Sequence, residues 1–237
     1  MKNVILFLLI SIQSIVSISS QNSVLFKEIQ TNLKNTFSCS SCQFDLHVKL
    51  WHDENAIIPD KQFDVKYKLK SNAYYVSFSE LTYINTSAFK LLAIHSNHTL
   101  FLDVRQGSNL ELNSPIDLDK IALSFDTLGL DYKITKKELN QLIVYDFSYP
   151  TSNPIRSAYI YFNKLDGSVN KILYNYNEDY KNEFPNRSEL VFTPLKKLDN
   201  ESCFQISTYL SKVGSHWKGR NQLKDYNIET TETYGTD

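Results

Sequence analysis

The chain has 237 residues, of which 42% are hydrophobic and 22% charged, and its formal net charge at pH 7 is −1. This composition is typical of a globular protein, and the lack of a basic block excludes the clustered Lys/Arg surface that a nucleic-acid partner requires. Numerous Tyr (15) and Phe (14) beside few Gly (6) and Pro (6) favour long strands that face a large apolar interior.

The first 20 residues have the organisation of a secretory signal peptide. Lys2 supplies a positive start, an apolar run follows from Val4 to Ile10, and small residues close the segment. The apolar run is shorter than the roughly 20 residues that a membrane-spanning helix needs. We therefore predict a signal peptide over 1–20, export to the periplasm or the extracellular space, and no transmembrane segment in the mature chain.

A short amphipathic helix is predicted over 23–35, because Val24, Leu25, Ile29 and Leu33 recur at helical intervals. Alternation of apolar and polar residues then takes over, and further alternating runs follow in "AYYVSF", "FKLLAI" and "HTLFLDV", with polar turns between them. This pattern predicts an antiparallel meander with one apolar face. The apolar side of its first two strands consists of Phe44, Leu46, Val48, Leu50, Phe63, Val65, Tyr67 and Leu69.

A second helix is predicted over 114–129. Ser114 is a suitable N-cap, Pro115 fits the first helical position, and Gly129 can end the helix. One apolar stripe runs along it, formed by Leu118, Ile121, Ala122, Phe125 and Leu128.

Strands return after this helix in "LDYKIT", "QLIVYDF" and "SAYIYFNKLDGSVNKILYNYN", and "SELVFTPLKKL" adds one more. Asp166-Gly167 is a favoured two-residue turn and predicts a hairpin. The order of elements predicts an α+β fold: one long, curled antiparallel sheet with helices against its concave face.

Three cysteines, Cys39, Cys42 and Cys203, form an odd set in an exported chain, so one disulfide and one free thiol are expected. A short bridge between Cys39 and Cys42 and a longer bridge from either of them to Cys203 both remain open. A redox role for Cys39-Ser-Ser-Cys42 is disfavoured, because catalytic Cys-x-x-Cys pairs usually begin a helix, whereas here a helix precedes the pair and a strand follows it.

No catalytic motif, metal-binding motif or phosphate-binding loop is recognisable, so we expect neither an enzyme nor a cofactor. His95 and His98 lie in a polar turn, where histidines are more often solvated than metal-bound.

A curled sheet under few helices can leave an apolar cavity that suits an acyl chain. The residues predicted to line such a cavity are Phe44, Leu46, Val48, Phe63, Val65, Tyr67, Leu100, Leu102 and Phe125.

The order of elements resembles the periplasmic lipoprotein-carrier family, the LolA-like proteins, over roughly Leu25 to Leu198. The resemblance rests on the opening helix that leads into an F-x-L type strand, on "FDVKYKLKSNAYYVSF", on the "SP" that opens the mid-chain helix, and on "LDYKI". It continues in "YIYFNKLDGSVNKILYNYN" and "ELVFTPLKKL". This family carries an arginine in an early strand that latches the lid, whereas "PDKQFDVKY" has Pro59 and no arginine.

The resemblance implies an unclosed β-barrel whose helical lid covers a hydrophobic cavity, and a domain division into signal peptide (1–20), half-barrel (21–200) and partly docked C-terminal extension (201–237). Members of this family carry acylated lipoproteins to an outer-membrane receptor. We therefore expect a monomeric, non-enzymatic periplasmic carrier that holds a lipid or the acyl chains of a lipoprotein. The alternatives are a structural or interaction protein of the cell envelope with a self-filled core and a protein partner, and a thiol-disulfide enzyme.

Overall fold

The computed structural model describes residues 20–37, 39–71, 73–106 and 132–234. The predicted signal peptide and the predicted helix over 114–129, with Phe125, lie outside the described residues. The chain divides into two compact units. Unit 1 comprises described residues 20–37, 46–63 and 132–194, and unit 2 comprises described residues 39–45, 64–71, 73–106 and 195–234.

The described residues form one α-helix, α1 (Ser20–Phe37), and 15 strands. Before residue 107 these are β1 (Ser41–Trp51), β2 (Lys61–Lys70), β3 (Ala73–Phe78), β4 (Leu81–Asn85), β5 (Phe89–Ile94) and β6 (Thr99–Gln106). After residue 131 they are β7 (Lys133–Leu139), β8 (Leu142–Ser148), β9 (Ile155–Asn163), β10 (Val169–Tyr176), β11 (Arg187–Phe192), β12 (Lys196–Lys197), β13 (Leu210–Val213), β14 (His216–Gly219) and β15 (Asn227–Tyr234). Short 3₁₀ helices lie at His95–Asn97, Glu178–Tyr180, Ser202–Phe204, Ile206–Thr208 and Asn221–Leu223.

Hydrogen bonds join 13 strands in the order β15-β6-β5-β4-β3-β2-β1-β11-β10-β9-β8-β7, with β12 beside β1, and β13 pairs with β14 as a separate hairpin. Within the described residues this order ends at β15 and β7, so the sheet is not closed. The prediction of a large antiparallel sheet is confirmed, although β15 runs parallel to β6. Several covering helices were predicted, whereas the described residues contain α1 alone.

In unit 1, α1 is fixed at both ends to the backbone of the sheet. Near its start, the Asn22 amide donates to the carbonyl of Tyr132 at 2.7 Å and accepts from the backbone N–H of Ile134 at 3.2 Å. Near its end, the hydroxyl of Thr36 accepts from the backbone N–H of Val169 at 3.1 Å. Asn22 and Thr36 are both buried, so these bonds satisfy strand-end groups that would otherwise lose water without compensation.

The middle of α1 packs through its apolar stripe, in which Phe26 and Ile29 are buried. Of the predicted stripe, Ile29 is buried as expected, whereas Val24 is 67% exposed and Phe26 takes its place in the core. Glu28 lies beside Lys136 of β7 at 2.5 Å. Burial opposes ionisation of Glu28, but the ion pair with Lys136 outweighs it, so the pKa of the Glu28 carboxyl lies below its ordinary value.

The predicted hairpin around Asp166-Gly167 connects β9 and β10, and the connection is longer than the two residues expected. The backbone N–H of Gly167 donates to the carbonyl of Asn163, and Asp166 accepts from both the backbone and the hydroxyl of Ser168. Gly167 has φ +68°, a left-handed conformation that glycine adopts without steric cost. The Asp-Gly signal therefore located the turn correctly, while local hydrogen bonding set its length.

In unit 2, the C-terminal segment (195–234) returns along the sheet. Its first strand, β12, pairs with the start of β1; 3₁₀ turns then contact β3 and β4, and the β13–β14 hairpin follows. The segment ends as β15, which pairs in parallel with β6 from Asn227 opposite Thr99 onward. Residues beyond the predicted half-barrel boundary thus contribute an edge strand of the sheet.

Cys39 and Cys42 form a disulfide with a Cα–Cα distance of 5.9 Å, which is the shorter of the two arrangements that the sequence left open. Cys42 is 3% exposed and lies opposite Lys197 of β12. Cys203 is buried with a free thiol, and its burial raises the pKa of that thiol. The bridge thus lies where β1 begins, with Cys39 half-buried and Cys42 buried.

Within the described residues, α1 is the one α-helix, and it lacks the length and apolar character of a membrane-crossing helix.

Candidate functional site

Unit 2 presents two chemically different faces on strands β2 to β6. Successive residues of a strand point to opposite faces, and directly paired residues on neighbouring strands share a face. The cross-strand pairs therefore assign each side chain to one face. We call these the covered face, which includes Ile84, Leu91 and Leu102, and the aromatic face, which includes Tyr83 and Leu92.

The covered face is filled by the C-terminal segment. Six of its apolar strand residues are almost completely inaccessible, as are two leucines of the segment that pack on them. Trp217, Tyr209 and Tyr226 pack around this cluster. The members of the cluster are Ile84, Phe89, Leu91, Ala93, Leu100, Leu102, Leu210 and Leu223.

A network of polar side chains lies at one margin of the covered face. The two ring nitrogens of His95 lie 3.0 Å from the hydroxyl of Thr82 and 2.5 Å from the hydroxyl of Tyr226. Burial, with a contribution from the nearby His98, lowers the pKa of His95 below its ordinary value. The expectation that His95 is solvated was wrong: it ties the C-terminal segment to β4.

The aromatic face carries a continuous apolar row across five strands. Tyr67, Val76, Tyr83, Leu92 and Phe101 are successive cross-strand partners from β2 to β6. Their side chains are half-buried, and Phe101 is 40% exposed. Burial raises the pKa of the Tyr67 phenol to about 12. This row is large, apolar and incompletely buried, which distinguishes it from the covered face.

The row begins at a stacked pair. The rings of Phe44 and Tyr67 lie parallel with their centroids 4.9 Å apart, which places Phe44 of β1 on the aromatic face. Val65, two residues before Tyr67 on the same strand, shares this face and is 2% exposed.

A second row on the aromatic face is polar. Tyr74, Asn85, Lys90 and Asp103 are successive partners on β3 to β6. The hydroxyls of Tyr74 and Tyr83 are 3.4 Å apart, and burial together with this neighbour raises the pKa of Tyr74 above its ordinary value. The aromatic face therefore combines a hydrocarbon surface with a short polar margin.

The nine residues predicted to line a cavity are distributed over several environments. Phe44, Val65 and Tyr67 lie on the aromatic face of unit 2, whereas Leu100 and Leu102 belong to the covered face. Leu46 and Val48 are buried in the part of β1 that belongs to unit 1, where they pair with Phe192 and Leu190. Phe63 is half-buried in unit 1, and Phe125 lies outside the described residues.

Sequence reasoning missed Val76 and Leu92, although both lie in alternating runs that it recognised, and it missed Tyr83, whose strand it did not recognise. Alternation defines two sides of a strand but not which side packs on the core, so it could not select these residues. Sequence reasoning also missed Asn85 and Lys90, because nothing in the sequence distinguishes these two residues from other polar residues.

No protein-family model matches this sequence. No curated protein matches it either. Solved structures do match. An uncharacterised conserved protein from Thermus thermophilus has a TM-score of 0.47 at 10% identity, over 87% of this chain and 99% of that one.

A LolA superfamily protein from Nitrosomonas europaea matches with a TM-score of 0.29 at 11% identity, over 78% of this chain and 95% of that one. The lipoprotein LppX of Mycobacterium tuberculosis matches with a TM-score of 0.38 at 10% identity, over 76% of this chain and 98% of that one. The matched structures include LolA-superfamily proteins. At these identities and TM-scores the matches transfer no function to this chain.

Proposed function

We propose that this protein is a non-enzymatic binding protein that holds a lipid or acyl chain against the aromatic face of unit 2. The observation that supports this proposal is the half-buried apolar row from Tyr67 to Phe101, on strands whose opposite face is already filled by the C-terminal segment. A protein that needed these strands only for its core would gain nothing from keeping large aromatic and aliphatic side chains half-exposed.

The dimensions of the row suit a hydrocarbon chain. Five neighbouring strands at about 4.8 Å spacing give a length of about 19 Å. Each buried CH₂ contributes about 0.8 kcal/mol, so an acyl chain laid along the row gains enough to offset the entropy lost on binding. Binding of this kind needs no catalytic residue and no cofactor.

The remaining expectations from the sequence belong to the same proposal. The segment 1–20 directs export, residues 21–200 form the binding domain with 201–237 as an extension, and the cargo is a lipid or an acylated lipoprotein in the periplasm. The proposed site keeps Phe44, Val65 and Tyr67 from the predicted set. It leaves out Leu100 and Leu102, which lie under the C-terminal segment.

A second candidate is an interaction protein of the cell envelope. The self-filled covered face favours it, because unit 2 builds a complete core from its own C-terminal segment. Affinity purification from the native source separates the two candidates. A stoichiometric protein partner without lipid selects the interaction protein.

The binding proposal is tested by native mass spectrometry of protein taken from its source, followed by uptake of a fluorescent fatty acid by the delipidated chain. We expect added mass from bound lipid and saturable uptake. Leu92→Asp on the row should abolish uptake, and Phe101→Ser should weaken it. Val213→Asp is the matched control, because Val213 is 55% exposed on the β13–β14 hairpin. Absence of both bound lipid and uptake would refute the proposal.

A further inference from the structure

Asn85, in the polar row, has a buried hydrogen-bond acceptor without a partner. Asn85 is 5% exposed and is the direct cross-strand partner of Tyr74. Its carbonyl oxygen, Oδ1, has no hydrogen-bond partner among the described residues. Buried acceptors in native proteins nearly always have a partner, so an acceptor left over on the proposed binding face indicates a donor brought by a ligand.

Beside Asn85, the Tyr83 hydroxyl carries a hydrogen for which the described residues provide no acceptor. The Tyr74 hydroxyl donates to the Tyr83 oxygen at 3.4 Å, which is a long hydrogen bond. A phenol carries one hydrogen, and the hydrogen of Tyr83 takes no part in this bond. The Tyr74 and Tyr83 rings lie 5.5 Å apart, so this donor belongs to the same patch.

Lys90 places a positive charge next to Asn85. The two residues are direct cross-strand partners, and the Lys90 ammonium lies 5.7 Å from the centre of the Tyr83 ring. Asp103 is the partner of Lys90 on β6, yet its carboxylate is paired with Arg105 at 3.9 Å. Among the described residues no carboxylate forms an ion pair with Lys90, so its charge is available to an acid.

We propose that the polar row binds the head group of an acidic amphiphile that carries a hydroxyl close to its acid group. The acid lies at Lys90 and the Tyr83 hydroxyl, the ligand hydroxyl donates to Asn85 Oδ1, and the hydrocarbon chain follows the apolar row. This inference rests on the proposed function and names the class of its ligand.

The strand geometry limits the ligand further. Cβ atoms of directly paired residues such as Asn85 and Lys90 are about 5 Å apart, so the hydroxyl and the acid must lie within a few bonds of each other. Tyr83 and Leu92, two residues away on the same two strands, belong to the apolar row. A 3-hydroxy fatty acid and a monoacylglycerol phosphate share this chemistry, the first with a carboxylate and the second with a phosphate.

The test uses the delipidated full-length chain and isothermal titration calorimetry with four ligands of equal chain length. These are 3-hydroxydodecanoic acid, dodecanoic acid, 1-dodecanol and dodecanoylglycerol phosphate. We expect the hydroxy acid to bind at least tenfold more tightly than the alcohol, with the plain acid between them. Tight binding of the hydroxy acid or of the glycerol phosphate identifies the carboxylate or the phosphate source.

Three variants assign the contacts. Lys90→Gln should remove the difference between the plain acid and the alcohol, and Asn85→Leu should remove the difference between the hydroxy acid and the plain acid. Lys66→Gln is the matched control: Lys66 is exposed on β2, pairs with Ser77, and belongs to the covered-face side. It should leave all four affinities unchanged. Asn85→Leu should unfold at or above the wild-type temperature, because it removes an unpaired buried acceptor.

Equal affinity for acid and alcohol in the wild-type chain would overturn the inference, as would acid binding that Lys90→Gln does not weaken. Either result leaves the proposed function standing, since the hydrocarbon chain still binds. Failure of every ligand, 1-dodecanol included, would overturn both the inference and the proposed function.

Discussion

The two faces of strands β2 to β6 are built from alternate residues of the same segments and differ in how far they are buried. On the covered face, Leu91 and Leu100 are 0% exposed beneath the C-terminal segment. On the aromatic face, Leu92 is half-buried and Phe101 is 40% exposed. Neighbouring residues of similar chemistry thus serve stability on one side and, as we propose, binding on the other.

The faces also differ in how their polar groups are satisfied. On the covered face, Thr82, His95 and Tyr226 bond to one another, so the network adds to stability. On the aromatic face, the buried oxygen of Asn85 has no partner within the part of the chain that the structure describes, and an unpaired buried acceptor costs stability. Proteins retain such costs where function requires them, which is why this difference points to the aromatic face as the binding surface.

The largest expected effect is a loss of stability that differs between the two faces. Leu102→Ala removes a side chain that is 1% exposed in the covered-face cluster, so it should lower the free energy of unfolding by about 2–5 kcal/mol. Leu92→Ala, on the aromatic face, should cost about 1 kcal/mol or less, because less of its area is buried. Urea denaturation measures both. Equal losses would show that the two faces are equivalent parts of one core.

The next largest loss of stability is expected from a substitution in the C-terminal segment, which covers this face. Leu210 is 1% exposed and belongs to the β13–β14 hairpin, so Leu210→Ala should cost about 2–4 kcal/mol in the same assay. Val213→Ala on the same hairpin is the control and should change stability little, since Val213 is 55% exposed. If Leu210→Ala has no more effect than the control, the C-terminal segment does not cover this face.

A smaller effect is expected at the polar side of the covered face. Tyr226→Phe deletes the hydroxyl that bonds to His95 and keeps the ring, so it should lower stability by about 1 kcal/mol. Thermal unfolding of this variant beside Tyr180→Phe measures the loss. Tyr180 is a useful control because its hydroxyl bonds to a carbonyl at an exposed site of unit 1. Equal losses for both would mean that the His95 network adds nothing specific.

The smallest effect is a pH dependence. The folded state holds the pKa of His95 below its ordinary value of 6.5, so between those two pKa values the unfolded chain binds more protons. Stability should therefore fall as the pH drops below 6.5, and His95→Gln should flatten this part of the profile. His216→Gln, on exposed β14, should leave the profile unchanged. A wild-type profile that is flat from pH 7 to 5 would contradict the network.

The strand pattern was predictable to a large extent, because side-chain alternation is a local property. In β1, the buried and half-buried residues alternate from Ser41 to Leu50, as the sequence suggested. The helix predicted over 23–35 lies within α1, although its buried face includes Phe26 and not the predicted Val24. The second predicted helix stays a prediction because it lies outside the described residues.

Predictions failed or stayed open where a segment that is distant in the sequence determines the environment of a residue. Leu100 and Leu102 were expected to line a cavity, and the segment around Leu210 and Leu223, more than 100 residues further along the chain, packs on them. His95 was expected in solvent for the same reason, because its partner Tyr226 is 131 residues away. Composition and period carry no information about such partners.

By itself, the sequence determined α1 and most strands outside β4 and the C-terminal segment, the position of the β9–β10 turn and the small set of possible disulfides. Each of these depends on backbone geometry or on side chains within a few residues of one another. Only the tertiary structure decided that Cys39 pairs with Cys42, that the C-terminal segment ends as a parallel edge strand, and that Asn85 and Lys90 meet. Those outcomes depend on strand register and on long-range packing. The free energy for both comes from burying apolar surfaces of segments that are far apart in the sequence, so local patterns cannot predict them.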